Sequence, residues 1–488
     1  MTKQWRFPGG LALQKQQQPN KISDSTIPDT LIYPLLQRAD CYAQPSVQVG
    51  ESVLKGQVIA NASDDLGTPI HAASSGTISA ISPLLIAHPS GLADQCISIR
   101  TDGLDTPVPQ FAEQTLQVQE ASPAQLRRII QQAGIVGLGG AGFPTAQKLQ
   151  PHQPIHTLII NGAECEPHIS CDAALIQQYA QQIIQGVLIL QKIVSAKHCI
   201  IAIEDNMPLA KHALLTAKQH KSIKIISVPA IYPTGGEKQL IQVLSGIKIP
   251  AQTLPAEYGF ICQNIGTAYA VYQAIIEGLP LTERIITLTG NGLRHPQNIR
   301  ARIGTPIKHL IAQCGGYMPE VQRLIMGGVM MGIALSSDDI AVTKASNCIL
   351  ALTTTDLQKQ QATLPCIRCG ACADVCPEQL LPQQLYQHSR VGQVEQCQDY
   401  RLFDCIECGC CDIVCPSHIP LVQSFRASKG TLRIKAQRTA QANLAKKRYQ
   451  QQQLRQKRAE QALQLKAAKR KAAIEKMKAA NLAKRKQP

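Results

Sequence analysis

CIECGCCDIVCP, residues 405–416, places five cysteines in twelve positions, and an earlier copy, CIRCGACADVCP, occupies residues 366–377. Both obey C-x2-C-x2-C-x3-C-P, the spacing that wraps a [4Fe–4S] cube. Three closely spaced thiolates hold one corner of the cube. The fourth, one helical turn on, faces the neighbouring cluster and ligates that one instead. This gives Cys366, Cys369, Cys372 and Cys415 to cluster 1, and Cys376, Cys405, Cys408 and Cys411 to cluster 2. Zinc is the competing reading, but zinc sites pair two C-x2-C knuckles with four ligands in all. Here two runs of four occur, each closed by proline. Cys410 has no slot in the pattern and reads as a small buried residue beside the cluster. Cys397 and the cysteines upstream read the same way.

Two adjacent clusters make a ferredoxin-like wire, and the rest of the chain bears on what feeds it. The chain has 488 residues and 18 cysteines, enough for several domains. So many thiols point to metal and redox chemistry in a reducing compartment rather than to a disulfide framework. The opening MTKQWRFPGG lacks the apolar stretch of a secretory signal, and no segment has the apolar length of a membrane span. A soluble or peripheral, cytoplasmic protein is expected. The formal charge of +16 is concentrated in residues 431–488, where 18 Lys and Arg face two acids. Rich in Ala, Lys, Arg and Gln, this stretch predicts a helix. Its leucines keep no heptad, which argues against a coiled coil. Three roles stay open: a solvated appendage, contact with an anionic lipid surface, or nucleic-acid binding. The last is disfavoured because no aromatic residues interleave with the charges.

Upstream, GIVGLGGAGFPTAQKL (134–149) sets Gly137, Gly139 and Gly142 in G-x-G-x-x-G spacing. That signal alone is weak, because SPAQLRRIIQQAG before it predicts a helix rather than the usual strand. A glycine-rich core turn is the alternative. Yet the apolar HTLIINGAECEP follows, delivering Asn161, Glu164 and Glu166 from a strand end, where α/β sheets place cofactor contacts. HCIIAIEDN and SIKIISVPAIYP continue a βαβ rhythm, and TGGEKQL sets Gly235, Gly236, Glu237 and Lys238 at the start of a helix.

In this order, GLGGAGFPT, NGAECEP, YPTGGEKQL, MGGVMMGIAL, VTKASNCIL and the paired cysteine runs closely resemble the RnfC (RsxC) family of the Rnf electron-transport complexes. The resemblance spans residues 1 to about 430. Residues 116–245 are also similar, more distantly, to the NADH-binding flavoprotein subunit of respiratory complex I. The resemblance implies FMN, with NADH as substrate. Gly137, Gly139, Gly140 and Gly142 would line the flavin and its phosphate, and Lys148 would approach the phosphate. Asn161 and Glu164 would flank the isoalloxazine. Phe143 would stack on the nicotinamide nucleotide, while Glu166, Gly236 and Glu237 would complete its pocket. Three positions depart from the complex I pattern: Leu138 replaces arginine, Ala163 aspartate and Ala146 glycine.

The expected architecture is multidomain α/β. Residues 1–115 carry a lipoyl-like barrel-sandwich hybrid; its HAASSG turn has no lysine to modify, which favours a structural role. His71 and His88 there read as surface histidines rather than metal ligands. Residues 116–245 form the Rossmann-like FMN/NADH domain, and 246–350 a soluble-ligand-binding β-grasp (SLBB) domain with its connection. Residues 351–430 hold the two-cluster ferredoxin-type region (repeats about 356–386 and 395–425), and 431–488 the basic tail. MGGVMMGIAL reads as core. The function implied is that of a peripheral oxidoreductase subunit on the cytoplasmic side of a bacterial inner membrane. It would carry electrons between NADH and membrane-embedded partners, with ferredoxin at the other end of the couple. Ion movement would belong to the partners. A scaffold whose clusters work without a flavin site is the alternative, and a docking module acting through the basic tail is another.

Overall fold

The computed structural model describes residues 4–15, 21–38, 41–63, 67–109, 118–218, 220–357 and 362–484, with side chains to 481. The boundary expected at 115/116 lies outside these residues. The chain forms two compact units, residues 1–383 with 403–422, and 384–402 with 423–488.

In the first unit, four parallel strands form one sheet in the order Ile223–Val228, His198–Glu204, Thr157–Gly162, Phe260–Asn264. Their near-continuous apolar sequences suit a sheet covered on both faces. The helices Cys171–Val194 and Ile265–Ile276 cover one face. They approach so closely that a Cβ at Gly186 would lie 1.9 Å from the Ala268 carbonyl oxygen. On the other face Leu240, Ile241 and Val243 of the helix Glu237–Ser245 pack on Ile159, Ala202 and Cys262. The strand Phe260–Asn264 and the helix after it were expected in the β-grasp domain. They complete this sheet instead, because FICQN is apolar enough to pair with TLIIN in the interior. The helix expected before the glycine loop spans Pro123–Gln132. Ser122 and Gln125 cap it reciprocally, as a capping box does.

Two four-stranded antiparallel sheets form the barrel-sandwich, one containing Thr30–Pro34, Ala93–Thr101 and Gly76–Leu85, the other Leu36–Arg38, Cys41–Pro45 and Val58–Ala62. Alternate residues Leu31, Tyr33, Ile97 and Ile99 face its core, as the two-residue strand period requires. His71 is not a surface residue: it is 1% exposed. Burial and the neighbouring Lys344 hold its imidazole down to about 3, so it stays neutral. His88 bonds Ser90 through Nδ1 at 2.8 Å.

A mixed six-stranded sheet follows, built on Glu283–Thr289, Gln297–Arg302, Val321–Met326 and Cys348–Thr353, with Ile22–Asp24 added at one edge. Of MGGVMMG only Met326 is core as expected; residues 327–332 are the tip of a hairpin between Val321–Met326 and Ile333–Leu335, where Val329 and Met331 are exposed.

The second unit comprises the helices Pro382–Arg390 and Val394–Asp399 and most of Leu421–Lys484. Ser389 donates to the Ser424 carbonyl at 3.1 Å, and Phe425 is buried. Beyond about residue 432 the long helix is exposed on every face.

Candidate functional site: a glycine loop, an acidic loop and two cysteine runs

The two cysteine runs repeat in backbone as well as in sequence. Arg368 and Glu407, Gly370 and Gly409, and Gln379 and His418 all take positive φ, each pair 39 residues apart. Non-glycine residues adopt that region only when the surroundings demand it. Arg368, Gly370, Glu407 and Gly409 lie between successive cysteines, and Gln379 and His418 three residues past the last cysteine of each run. The short helices Ala371–Asp374 and Cys410–Ile413 pack on each other, which brings Cys376 within electrostatic reach of Cys408 and Cys411. Cys366 and Cys369 both act on Cys372 through their charge. Past Cys415, the Ser417 carbonyl accepts from Leu364 N (3.0 Å) and the Ser417 hydroxyl donates to the Pro365 carbonyl (3.0 Å). Those bonds lay the end of the second run beside the start of the first.

The cysteine sulfurs do not gather as the ligands of a zinc ion do. Tetrahedral zinc would set them about 3.8 Å apart, given Zn–S bonds of about 2.3 Å. Among the described residues no three of these sulfurs lie within 4.8 Å of one another. Cys410 is fully buried and packs with Cys408 in one cluster.

The surroundings of the two runs differ. Cys408 and Cys410 form a small apolar cluster with Tyr232, joined by Leu11, Cys165, Met330 and Val375. The Tyr232 hydroxyl donates to the Cys408 carbonyl at 2.7 Å. Cys165 belongs to the acidic loop, so the second run packs directly against the carboxyl end of the parallel sheet. The first run is open, with Cys369 exposed and Ile367 67% exposed.

At that sheet end Asn161 donates to the Gly235 carbonyl (2.8 Å) and accepts from Ala163 N (3.0 Å). Lys148 pairs with Glu237 at 2.8 Å, next to Gly236, the cap of its helix. Gly137 donates to the Phe143 carbonyl at 2.7 Å, closing the glycine loop, and Gly139 faces the Asn264 side chain. Gly140, at φ +100°, has nothing within 4 Å of where its Cβ would stand. Beside the loop Thr145 Oγ1 and Gln263 Nε2 are buried without a hydrogen-bond partner. An open glycine cradle flanked by unmet polar atoms fits a phosphate and a polar ring.

Two of the expected carboxylates are committed within the chain. Buried Glu164 accepts from Asp172 N (3.0 Å), Ala173 N (3.3 Å) and the Cys171 thiol (3.4 Å), capping the helix Cys171–Val194. Burial and Glu164 push the Asp172 carboxyl up to about 7. Glu166 accepts from Met330 N and Met331 N, both at 3.1 Å, and burial raises its pKa. The hairpin tip lies so flat on it that a Cβ at Gly328 would come within 2.1 Å of the Glu166 carboxyl carbon.

Several residues here carried no signal in the sequence. Lys15 reaches the Glu164 carbonyl (2.5 Å) and buried Glu204 (3.2 Å). Arg284, from the mixed sheet, is buried and donates to the carbonyls of Leu138 (2.9 Å) and Ser346 (3.0 Å). It thereby braces the glycine loop at the very residue that departs from the complex I pattern. Only Asn264 was findable, as a polar residue ending an apolar strand before a helix.

A flavin-type α/β layer with the second of two cubane cysteine runs packed against it defines an iron–sulfur flavoprotein. Comparison with known proteins bears out that class. The RnfC barrel sandwich hybrid domain matches residues 5–104, the Nuo51 FMN-binding domain 130–273, the SLBB domain 285–334 and the 4Fe-4S dicluster domain 362–419. The C component of the ion-translocating oxidoreductase complex of Pseudomonas aeruginosa is 44% identical over 93% of this chain and 59% of that protein. Its Vibrio cholerae counterpart is 43% identical over 93% and 59%, and that of Pectobacterium atrosepticum 44% over 94% and 67%. The chain belongs to this RnfC family, and it spans roughly three-fifths to two-thirds of the length of these relatives. A solved NAD+-reducing [NiFe]-hydrogenase is similar at 16% identity and a TM-score of 0.45, over 63% of this chain and 61% of that one. The matched FMN-binding and 4Fe-4S dicluster domains give FMN and [4Fe–4S] clusters as cofactors. Among the described residues no helix is long and apolar enough to cross a membrane.

Proposed function

We propose that this chain passes electrons between a nicotinamide nucleotide and partner subunits of a membrane complex, through FMN and two [4Fe–4S] clusters. The observation that carries this reading is the apolar contact of Tyr232 and Cys165 with the second cysteine run. It sets one cluster against the cofactor layer and leaves the other open to a partner. When bound, the flavin supplies exchange between two-electron hydride chemistry and one-electron clusters.

The chain's own groups divide the remaining work. Gly137, Gly139, Gly140 and Gly142 offer backbone to the flavin, Asn161 and Glu164 fix the edge of its pocket, and Lys148 with Glu237 and Gly236 borders the phosphate side. Phe143 and Glu166 lie on the nucleotide side. Cys376, Cys405, Cys408 and Cys411 hold the near cluster, and Cys366, Cys369, Cys372 and Cys415 the far one. Tyr232, Leu11 and Met330 keep water from the near cluster. Arg284 and the Glu164 cap hold the two loops rigid.

Ion translocation, coupled to an NADH/ferredoxin couple, belongs to the membrane partners. This subunit sits peripherally on the cytoplasmic side of a bacterial inner membrane. Basic on every face, the tail helix meets anionic lipid by charge alone, at about 1 kcal/mol per basic residue near the surface. The clusters-only scaffold remains the second reading, because Glu164 and Glu166 spend their acceptors inside the chain.

Anaerobic purification with iron, sulfide and flavin counts, then titration with NADH, tests the proposal. About eight irons, one FMN and bleaching by NADH are expected. Eight irons without flavin or bleaching would leave the scaffold reading.

A further inference from the structure

A cavity borders the glycine loop at Val136 and Gly142, enclosed by the barrel-sandwich and the mixed sheet. Its walls are largely apolar, with Pro34, Leu36, Ile86 and Val136 among them, and no Asp or Glu lines it among the described residues. Two cations do, Arg38 and Lys344. Lys344 is spent: its ammonium donates to Thr68 Oγ1 (3.2 Å), the Pro69 carbonyl (2.7 Å) and the Gly134 carbonyl (2.8 Å). Burial also lowers it to about 7. Arg38 is not spent. Its guanidinium carbon lies 5.2 Å from the centre of the Phe143 ring, while its Nε is buried without a hydrogen-bond partner.

The Phe143 ring stands beside the guanidinium, and the Nε–H is left to be met. A buried donor left unmet is costly and calls for an explanation. A planar fork of donors is matched by an oxyanion that accepts two parallel bonds. The apolar walls beside it suit a flat ring. We infer that this cavity binds a phosphate that carries a planar base, as the adenylate end of a nicotinamide dinucleotide does. Arg38 takes the phosphate, and Pro34, Leu36, Ile86 and Val136 take the ring. The assignment to a dinucleotide rests on the proposed nicotinamide chemistry; the anion site rests on Arg38. It also gives the barrel-sandwich a ligand-binding role where its sequence favoured a purely structural one.

Calorimetry on the anaerobic holoprotein tests this with three probes: NADH, ADP-ribose and reduced nicotinamide mononucleotide. The variants are Arg38→Ala and Arg38→Lys, the second retaining charge but not the fork. Flavin and iron counts check that each is loaded, and Arg38→Lys decides if Arg38→Ala is not. Kd for NADH and ADP-ribose should rise at least tenfold in Arg38→Ala and by less in Arg38→Lys, with the mononucleotide unaffected. Unchanged ADP-ribose affinity in the loaded variants, or no ADP-ribose binding by the parent protein, overturns the site. An equal loss for the mononucleotide overturns it too. If the parent binds ADP-ribose through Arg38 but not NADH, the nicotinamide reading fails and the anion site stands.

Discussion

The two cysteine runs share one backbone and one spacing, yet their neighbourhoods are unlike. The second is buried against Tyr232, Cys165 and Met330, and the first keeps Cys369 and Ile367 in the open. Ligand spacing says that a cube is held. What surrounds the cube sets its potential and its neighbours in the electron path, since solvent exposure and hydrogen bonds to the sulfurs tune such clusters. A repeated motif can therefore fill two different places in one wire.

Removing one ligand from each run gives the largest effect. Cys369→Ser and Cys408→Ser should each lose about four of about eight irons, counted by chemical assay, and the EPR signal that survives should differ between them. Identical residual spectra would mean that the two environments are equivalent after all.

Gly328→Ala disturbs the hairpin that covers the second run. Its Cβ would sit 2.1 Å from the Glu166 carboxyl carbon, so the hairpin must lift. A cost of about 1–3 kcal/mol is expected, as for overpacked cores. The Met330 cover lifts with it, so the second cluster's signal should broaden or shift while the first stays put. A change confined to the first cluster would contradict the packing of the hairpin on the second run.

Tyr232→Phe removes the bond to the Cys408 carbonyl and should cost about 1 kcal/mol by thermal melting. Cys410→Ala is subtler. It removes the thiol packed with Cys408, a donor type that favours the more negative, reduced cluster, so the second cluster's potential should fall by roughly 40 mV, about 1 kcal/mol for one electron. Redox titration followed by EPR reads this, and an unmoved potential would reduce Cys410 to a space-filling residue.

What the sequence disclosed follows from the range over which each signal acts. The cysteine runs, the capped helix at Ser122 and the strands TLIING and CIIAIE are local patterns, legible within a dozen residues. FICQN was placed in the wrong layer because nothing local says which sheet an apolar strand joins. Glu164 and Glu166 stand at the strand end the sequence indicates, but the sequence offers them as cofactor and nucleotide contacts and shows nothing of what they bond within the chain. Their partners are the backbone of a following helix and a hairpin more than 160 residues away. Lys15, Arg38 and Arg284 were missed for the same reason. Each acts on a segment remote in sequence, and a single basic residue leaves no periodic trace.

We propose that the second run holds the cluster next to the cofactor layer. Freeze-quench EPR after mixing with NADH tests it most directly, in variants that each retain one cluster. Cys369→Ser keeps the near cluster and should reduce it at close to the parent rate. Cys408→Ser keeps only the far one and should reduce it at least a hundredfold more slowly. Fast reduction in Cys408→Ser and slow reduction in Cys369→Ser would place the wire the other way round.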